Sequence, residues 1–431
     1  MYLWKIKLNA MNDFQHDFSE TSTEAWKNQI LKELKDEASK IEFTDKIEEI
    51  SLDITLPATE DFNSASSNPT NDWKASAFID VNDEKIANKL TLNCLNQGYN
   101  ELIFKFNSNN IDWELLLKKV LVGYIHTRLV FNNVEQLRSF LATSFASKIQ
   151  YFSFEIDPLV NHFDEFEAEL KTLTANRLLS VNGFECQQVG ASTWQEIGVV
   201  LSTAHELLNR GFIPNQLSLS IGIGSNYFLE IAKVRALRYL WNQITTAYNS
   251  DNSVEIVAHV GWTNKSLKDQ HTNLLRQTTE TMSAAAGGAD SIVLHPYDQH
   301  ATDGSSEFAY RMAANISNLL KEESYFDKVQ DPLKGSRIIE NLTQLISEKA
   351  WNYFLELDTF KSLNSIEKIA KIKNDISSKR AKREHLYKDK QIKLIGINLF
   401  NTENPNSQEW KKGLNYLEIP YLIYEEINIQ E

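Results

Sequence analysis

Between residues 73 and 296, short runs rich in β-branched and aromatic residues alternate with stretches of helical spacing. No other feature constrains the fold as much. The runs are WKASAFI (73–79), ELIFKF (101–106), TRLVF (127–131), YFSFEI (151–156), RLLSVNG (177–183), QLSLSIG (216–222), VEIVAHV (254–260) and SIVLHP (291–296). Helical segments fit between them, for example VEQLRSFLATSFASK at 134–148. Strand, helix and strand at this spacing give right-handed crossovers and a parallel sheet. Eight such strands predict an α/β fold of the (β/α)8 TIM-barrel type. The crossover between the first two runs must come from residues 83–97, so seven repeats follow directly and the eighth depends on that segment. A doubly wound sheet is the alternative.

The flanks differ in character. Residues 21–40 read as a charged amphipathic helix opened by Ser22 or Thr23, with Trp26, Ile30, Leu31 and Leu34 as a narrow docking stripe. Residues 56–72 are rich in Pro, Ser and Asn and read as a linker. The predicted organisation is an N-terminal arm and linker over 1–72, the barrel over 73–303, and a helical extension with a terminal strand over 304–431. That extension carries long helical patterns at 304–323, 336–357 and 362–389, then a β run, IKLIGINLF, at 392–400. The third helix is strongly charged with sparse apolar positions, as a solvent-facing or subunit-bridging helix would be.

Composition removes several functional classes. In 431 residues, 44 Lys and Arg against 58 Asp and Glu leave a net charge of −14. Such a chain lacks the basic patch that a nucleic-acid partner requires. A hydrophobic fraction of 42% with 24% charged residues excludes wholesale disorder. Two cysteines, Cys94 and Cys186, fit a reducing compartment. No apolar run is long enough to span a membrane, and MYLWKIKLNA (1–10) is too short for a signal peptide, so a cytoplasmic location is expected. Met11 is a plausible alternative start. The nine histidines show no His-x-x-x-His pair, so no metal site is expected.

Three segments could carry chemistry. SVNGFECQQVGASTWQEIG (180–198) ends a strand and opens a helix, which makes Phe184, Glu185 and Gln187 pocket candidates at the C-terminal face of a barrel. The alternative is a tight glycine turn with a solvated Glu185. SLSIGIGSNYFLEIAKVRALRYLW (218–241) carries Gly222 and Gly224 but neither a third Rossmann glycine nor a Gly-Lys-Ser/Thr, so it is no phosphate loop. Its Glu230 and Lys233 can pair at i, i+3. Near 276–280, Arg-Gln-Thr-Thr-Glu runs into the small residues Ser283 to Gly288, a pattern that favours close helix packing.

Five blocks of the chain resemble the methylmalonyl-CoA mutase family in the same order. They are GFECQQVGAS (183–192), LSLSIGIGSNYFLEIAKVRALR (217–238), NLLRQTTETMSAAAGGADSI (273–292), DPLKGSRIIENLTQLISEKAW (331–351) and LIGINLF (394–400). STEAWKNQILKELK (22–35) resembles the family's N-terminal arm. The resemblance implies a substrate-threaded barrel capped by a separate C-terminal cobalamin domain. It also implies a radical rearrangement between methylmalonyl-CoA and succinyl-CoA that uses adenosylcobalamin.

The departures from that pattern set the expected role. Against that pattern, the chain is expected to carry no cobalamin-binding domain of its own. Asp298-Gln299-His300 approaches the family's Asp-x-His-x-x-Gly cobalt-ligand motif, but its glycine, Gly304, comes one residue late, so it reads as a loop. Where the family's catalytic chains carry a His after Gly-Tyr, this chain reads Gly183-Phe184-Glu185. Where they carry Arg-Gln-Tyr after a Trp, Trp73 is followed by Lys74-Ala75-Ser76-Ala77-Phe78, and a further family His corresponds to Val293. The interval 156–177 looks one βα unit short. The resemblance therefore implies a small, non-catalytic subunit in a heterodimer, stabilising a large catalytic chain that binds the adenosylcobalamin, with no catalytic residue and no cofactor of its own. Phe78, Glu185, Gln187, His259 and Val293 would line a vestigial substrate pocket. The alternatives are an acyl-CoA-binding or regulatory module, and a mutase barrel that borrows a separate cobalamin-binding polypeptide.

Overall fold

The computed structural model describes residues 21–35, 43–52, 71–156, 163–175, 177–250, 254–301, 304–360, 362, 365–400, 409–411 and 417–427. It divides into two compact units, Met1–Ala58 and Thr59–Glu431. In the first, helix α1 (Thr23–Leu34) starts where the Ser22 side chain accepts the Ala25 N–H at 3.1 Å. Its Trp26, Leu31 and Leu34 are exposed. A short hairpin follows, β1 (Phe43–Asp45) against β2 (Ile50–Leu52). The Asp45 carboxylate closes its turn by accepting the N–H groups of Ile47 and Glu48, each at 2.9 Å. Of the expected linker, only Asn71 and Asp72 fall within the described residues.

The second unit holds the barrel. Its strands are β3 (Lys74–Val81), β4 (Glu101–Phe106), β5 (His126–Val130), β6 (Phe152–Glu155), β7 (Leu179–Asn182), β8 (Leu217–Ile223), β9 (Glu255–Val260) and β10 (Ser291–Val293). All pair in parallel, and β10 closes the circle between β9 and β3. The eight sequence runs are therefore the eight strands, and the doubly wound alternative is excluded. Helix α2 (Glu84–Asn96), capped by Asp83, fills the doubtful crossover at 83–97. Short α3 (Trp113–Leu116) and α4 (Val134–Leu141) follow β4 and β5.

One expectation is corrected here. The interval 156–177 is not a missing βα unit, because α5 (Phe163–Leu170) makes the crossover from β6 to β7 within it. Eight residues suffice, since Phe163, Phe166 and Leu170 bury one face of that helix.

The remaining crossovers are α6 (Phe184–Gln188), α7 (Thr193–Asn209), α8 (Tyr227–Ala247) and α9 (Thr272–Gly287). Ser192 and Gln195 form a capping box at the start of α7. The small residues at the end of α9 pack as expected: a Cβ on Gly287 would lie 2.9 Å from Val234 Cβ. Three long helices complete the unit, α10 (Glu307–Glu322), α11 (Arg337–Asp358) and α12 (Ile366–Lys388).

Helix α12 is docked rather than free. Ile372, Ile376, Leu386 and Tyr387 are buried, and Arg383 donates to the carbonyls of Gly190 and Ala191 at 3.1 and 2.9 Å. The β run expected at 392–400 is also corrected, because no strand forms there. Gly396 and Phe400 take positive φ values of 74° and 55° and curl the chain. The Asn398 side chain then accepts the Leu394 N–H at 2.7 Å. Among the described residues, no helix is long and apolar enough to cross a membrane.

Candidate functional site

The inward side chains of the barrel form three levels. Nearest the N-terminal ends of the strands, Lys74, Glu101, His126, Arg128, Arg177 and Glu255 make a charged network. Glu255 accepts Lys74 Nζ at 2.6 Å, Arg177 at 3.1 Å and Arg128 at 3.3 Å. Burial alone would raise the Glu255 carboxyl, but these three cations outweigh it and hold it well below the usual carboxylate range. Glu101 accepts Ser76 Oγ at 2.5 Å and also the Ser291 hydroxyl. Burial drops the His126 imidazole to about 4 despite the pull of Glu101 and Glu255.

Glu101, His126 and Glu255 offer ligand atoms within 4.8 Å of one another. A metal ion there would have to displace the Lys74 ammonium and two guanidinium groups, so the trio is an ion-paired scaffold. Position agrees, because the N-terminal face of such barrels carries stability rather than chemistry.

The middle level is apolar. Ile103, Val257 and Val293 are fully buried and meet across the axis, with Phe78 and Val130 packed against them. Of the five pocket candidates, Phe78 and Val293 thus fill the barrel core.

The third level lies at the C-terminal mouth. His259 lies one residue before the end of β9, and the Phe184 ring stacks on it at 4.6 Å with planes 20° apart. His295 stands 5.9 Å from His259, and Trp262 lies 6.2 Å from His295. His300 sits against Trp262 at 4.8 Å and stacks on Trp410 at 5.7 Å. His259, His295 and His300 are all at most 2% exposed, and burial lowers each imidazole, His295 to about 4. They are neutral at pH 7. His295 Nδ1 bonds Gln299 Oε1 at 2.6 Å. Its Nε2, both ring nitrogens of His259 and His300, and Trp262 Nε1 have no partner among the described residues.

Glu185 and Gln187 occupy the rim on α6 instead of the axis. Glu185 bonds the Tyr421 hydroxyl, and burial raises its carboxyl against the field of Lys105. Gln187 packs against glycines: Cβ atoms added at Gly222, Gly224 and Gly261 would come within 2.7, 3.3 and 3.0 Å of its amide. Behind β8, Glu196 accepts the Gly222 N–H at 2.6 Å and Lys233 Nζ at 3.0 Å, and Glu230 pairs with Lys233 at 2.6 Å as its i, i+3 spacing implied.

His295, His300, Trp262, Trp410 and Tyr421 were not singled out in the sequence. His295 had a signal, since it follows Val293 by two residues and period-2 alternation points it inward. The others meet only through the fold. Residues 298–300 form a turn, as expected. His300 is enclosed between two indoles and leaves no open approach for a corrin ring, so these residues do not fit a cobalt ligand.

The family model for methylmalonyl-CoA mutase matches residues 147–417. The methylmalonyl-CoA mutase small subunit of Porphyromonas gingivalis is 33% identical over 371 residues, 77% of this chain and 59% of that protein. The small subunit of Propionibacterium freudenreichii subsp. shermanii is 24% identical over 385 residues, 79% of this chain and 60% of that protein. The methylmalonyl-CoA mutase of Rhizobium meliloti is 29% identical over 253 residues, covering 56% of this chain and 35% of the relative. The chain thus spans about three-fifths of the two small subunits' length. Among solved structures, a Yersinia pestis dihydropteroate synthase superposes with a TM-score of 0.34 at 12% identity over 65% of this chain and 99% of that one, too low to carry an inference. With more than half of its length matched by the family model on a closed eight-stranded barrel, this chain belongs to the methylmalonyl-CoA mutase family.

Proposed function

We propose that this chain is the small, non-catalytic subunit of an adenosylcobalamin-dependent methylmalonyl-CoA mutase, stabilising a large catalytic chain that binds the cofactor. What supports the reading is the apolar cluster of Ile103, Val257 and Val293, with half-buried Phe78 packed against it, on the axis along which a threaded acyl-CoA would have to pass. Glu185 at the rim adds a carboxylate that would repel an acidic acyl group. The names of the two small-subunit relatives support the same role. Cys94 and Cys186, buried and not joined in a disulfide, fit a reducing, cytoplasmic setting.

A filled axis also speaks against an acyl-CoA module, since opening it would cost the buried contacts of several side chains. The test is native mass spectrometry of the complex isolated from its own host through a tag on this chain. A one-to-one assembly with a longer, cobalamin-carrying chain is expected. A homodimer without such a chain, or tight binding of an acyl-CoA to this chain alone, would overturn the proposal.

A further inference from the structure

The mouth of the barrel is covered by this chain itself. Residues 409–411 and 417–427 run across it, and they are held by separate contacts rather than by a strand ladder. Trp410 makes an isolated antiparallel bridge to Ala301, and Lys411 N–H donates to the His300 carbonyl at 2.8 Å. Tyr421 lies 5.4 Å from Trp262 and bonds Glu185. Leu422 N–H donates to the Gln188 carbonyl at 2.8 Å, and Tyr424 N–H to that of Thr263 at 3.3 Å.

One side chain ties the covering segment to the barrel. Glu425 Oε2 accepts Trp410 Nε1 at 3.0 Å and Leu267 N–H at 2.9 Å. Its Oε1 accepts Ser266 Oγ at 2.5 Å and Lys268 N–H at 3.3 Å. A carboxylate taking these donors from two distant segments makes the strong, charge-assisted kind of hydrogen bond. Trp410 and Ile423 add a small apolar contact with Leu267 and Ala301.

Beneath this cover lie the unpartnered nitrogens of His259, His295 and His300. Buried polar atoms without partners are costly, and they call for water or a small polar ligand. We propose that residues 409–411 and 417–427 are a strap that closes a polar chamber at the barrel mouth, with Glu425 as its latch. Leu422 and Tyr424 are also packed with Tyr387 and Leu394, but among the described residues no strand ladder joins the segment to the barrel, so it can open without breaking the barrel sheet. The chamber is therefore reached by lifting the strap, while the apolar plug closes it from below. The inference stands whether or not a large subunit is the partner.

Site-resolved histidine modification of the full chain with diethyl pyrocarbonate tests it. The reagent attacks neutral imidazole, and the three mouth histidines are neutral, so their reactivity reports access. In the wild type, exposed His385 reacts first and His259, His295 and His300 are protected. Glu425→Gln turns an amide N–H₂ toward donors that need an acceptor, and it raises modification of the three by about tenfold. His126, at the opposite end of the barrel, stays unchanged. Trp410→Phe removes one donor, keeps the packing and gives a smaller rise; it serves where Glu425→Gln does not fold. Mouth histidines that react as fast as His385 in the wild type would overturn the strap, as would protection unchanged in both variants. A parallel rise at His126 would also overturn it, since the barrel itself would then be opening.

Discussion

Lys233 and Glu196 form an ion pair at 3.0 Å in which neither side chain reaches water, and Glu230 completes it at 2.6 Å from the same ammonium. Burial pushes the Glu196 carboxyl up to about 7, while Lys233 and the Gly222 N–H oppose that rise. Removing the cation leaves two carboxylates facing each other in the interior. Lys233→Met should therefore destabilise the chain by about 3–5 kcal/mol, because breaking a buried pair strands its partner. Urea unfolding monitored by circular dichroism measures the loss; a change below about 1 kcal/mol would show the pair to be dispensable.

Stability should fall on mild acidification. Burial lowers His126 and His295 to about 4, and it lowers His259 and His300 well below the usual imidazole value. The unfolded chain, with imidazoles near about 6.5, binds protons that the folded chain refuses. The contribution is complete above that value and is lost as pH falls toward the folded one. Glu196 acts in the opposite sense, because a raised carboxyl favours the folded state below about 7. His295→Gln isolates one site: its unfolding free energy should vary less between about pH 7 and about pH 5, by close to one proton's worth. Equal pH slopes for variant and wild type would contradict a buried neutral His295.

The Glu101, His126 and Glu255 trio should ignore divalent metals. Lys74, Arg128 and Arg177 already supply its positive charge. Zinc or manganese is expected to leave the melting temperature unchanged, since a ligand that binds the folded state would raise it. A saturable rise abolished by Glu255→Gln would reverse this assignment.

Helix α7 approaches α11 at a glycine. A Cβ on Gly198 would meet Tyr353 Cδ1 at 2.7 Å and the Ala350 carbonyl at 3.3 Å. Gly198→Ala should cost about 1–3 kcal/mol through overpacking, even though alanine is the better helix former. Thermal melts decide it, and a stabilised variant would place the helices further apart than they are.

Restoring imidazoles at the two positions that depart from the family pattern should not restore chemistry. Val293 is buried in the apolar plug and Glu185 sits on the rim. The double variant Glu185→His, Val293→His is expected to show no mutase turnover when isolated and to be less stable, because Val293→His buries a polar ring among Ile103 and Val257. Turnover above background would refute the non-catalytic reading.

The barrel was legible because each strand carries its own signal. β4 and β9 lie where ELIFKF and VEIVAHV placed them, since runs of β-branched and aromatic residues need no distant partner to be recognised. Positive-φ turns defeated the reading of 392–400, where an apolar run of strand composition curls around Gly396 and Asn398. The site was legible only in part. His259, Phe78 and Val293 could be placed by alternation along their strands, yet whether they lined an open channel or filled it depended on opposite strands meeting across the axis.

The sequence by itself determined seven of the strand–helix repeats, the helix opened near Ser22 and the family, because these rest on local periodicity and ordered blocks. Only the tertiary structure decided that Phe78 and Val293 belong to a plug, that His259, His295 and His300 share one buried mouth, and that Glu425 fastens the strap above them. Ser266 and Glu425 are separated by 159 residues, and nothing local to either announces the other. Such contacts arise when closing the barrel brings loops from different strands to one face. Their energy depends on burial and partner geometry, which no stretch of sequence carries alone.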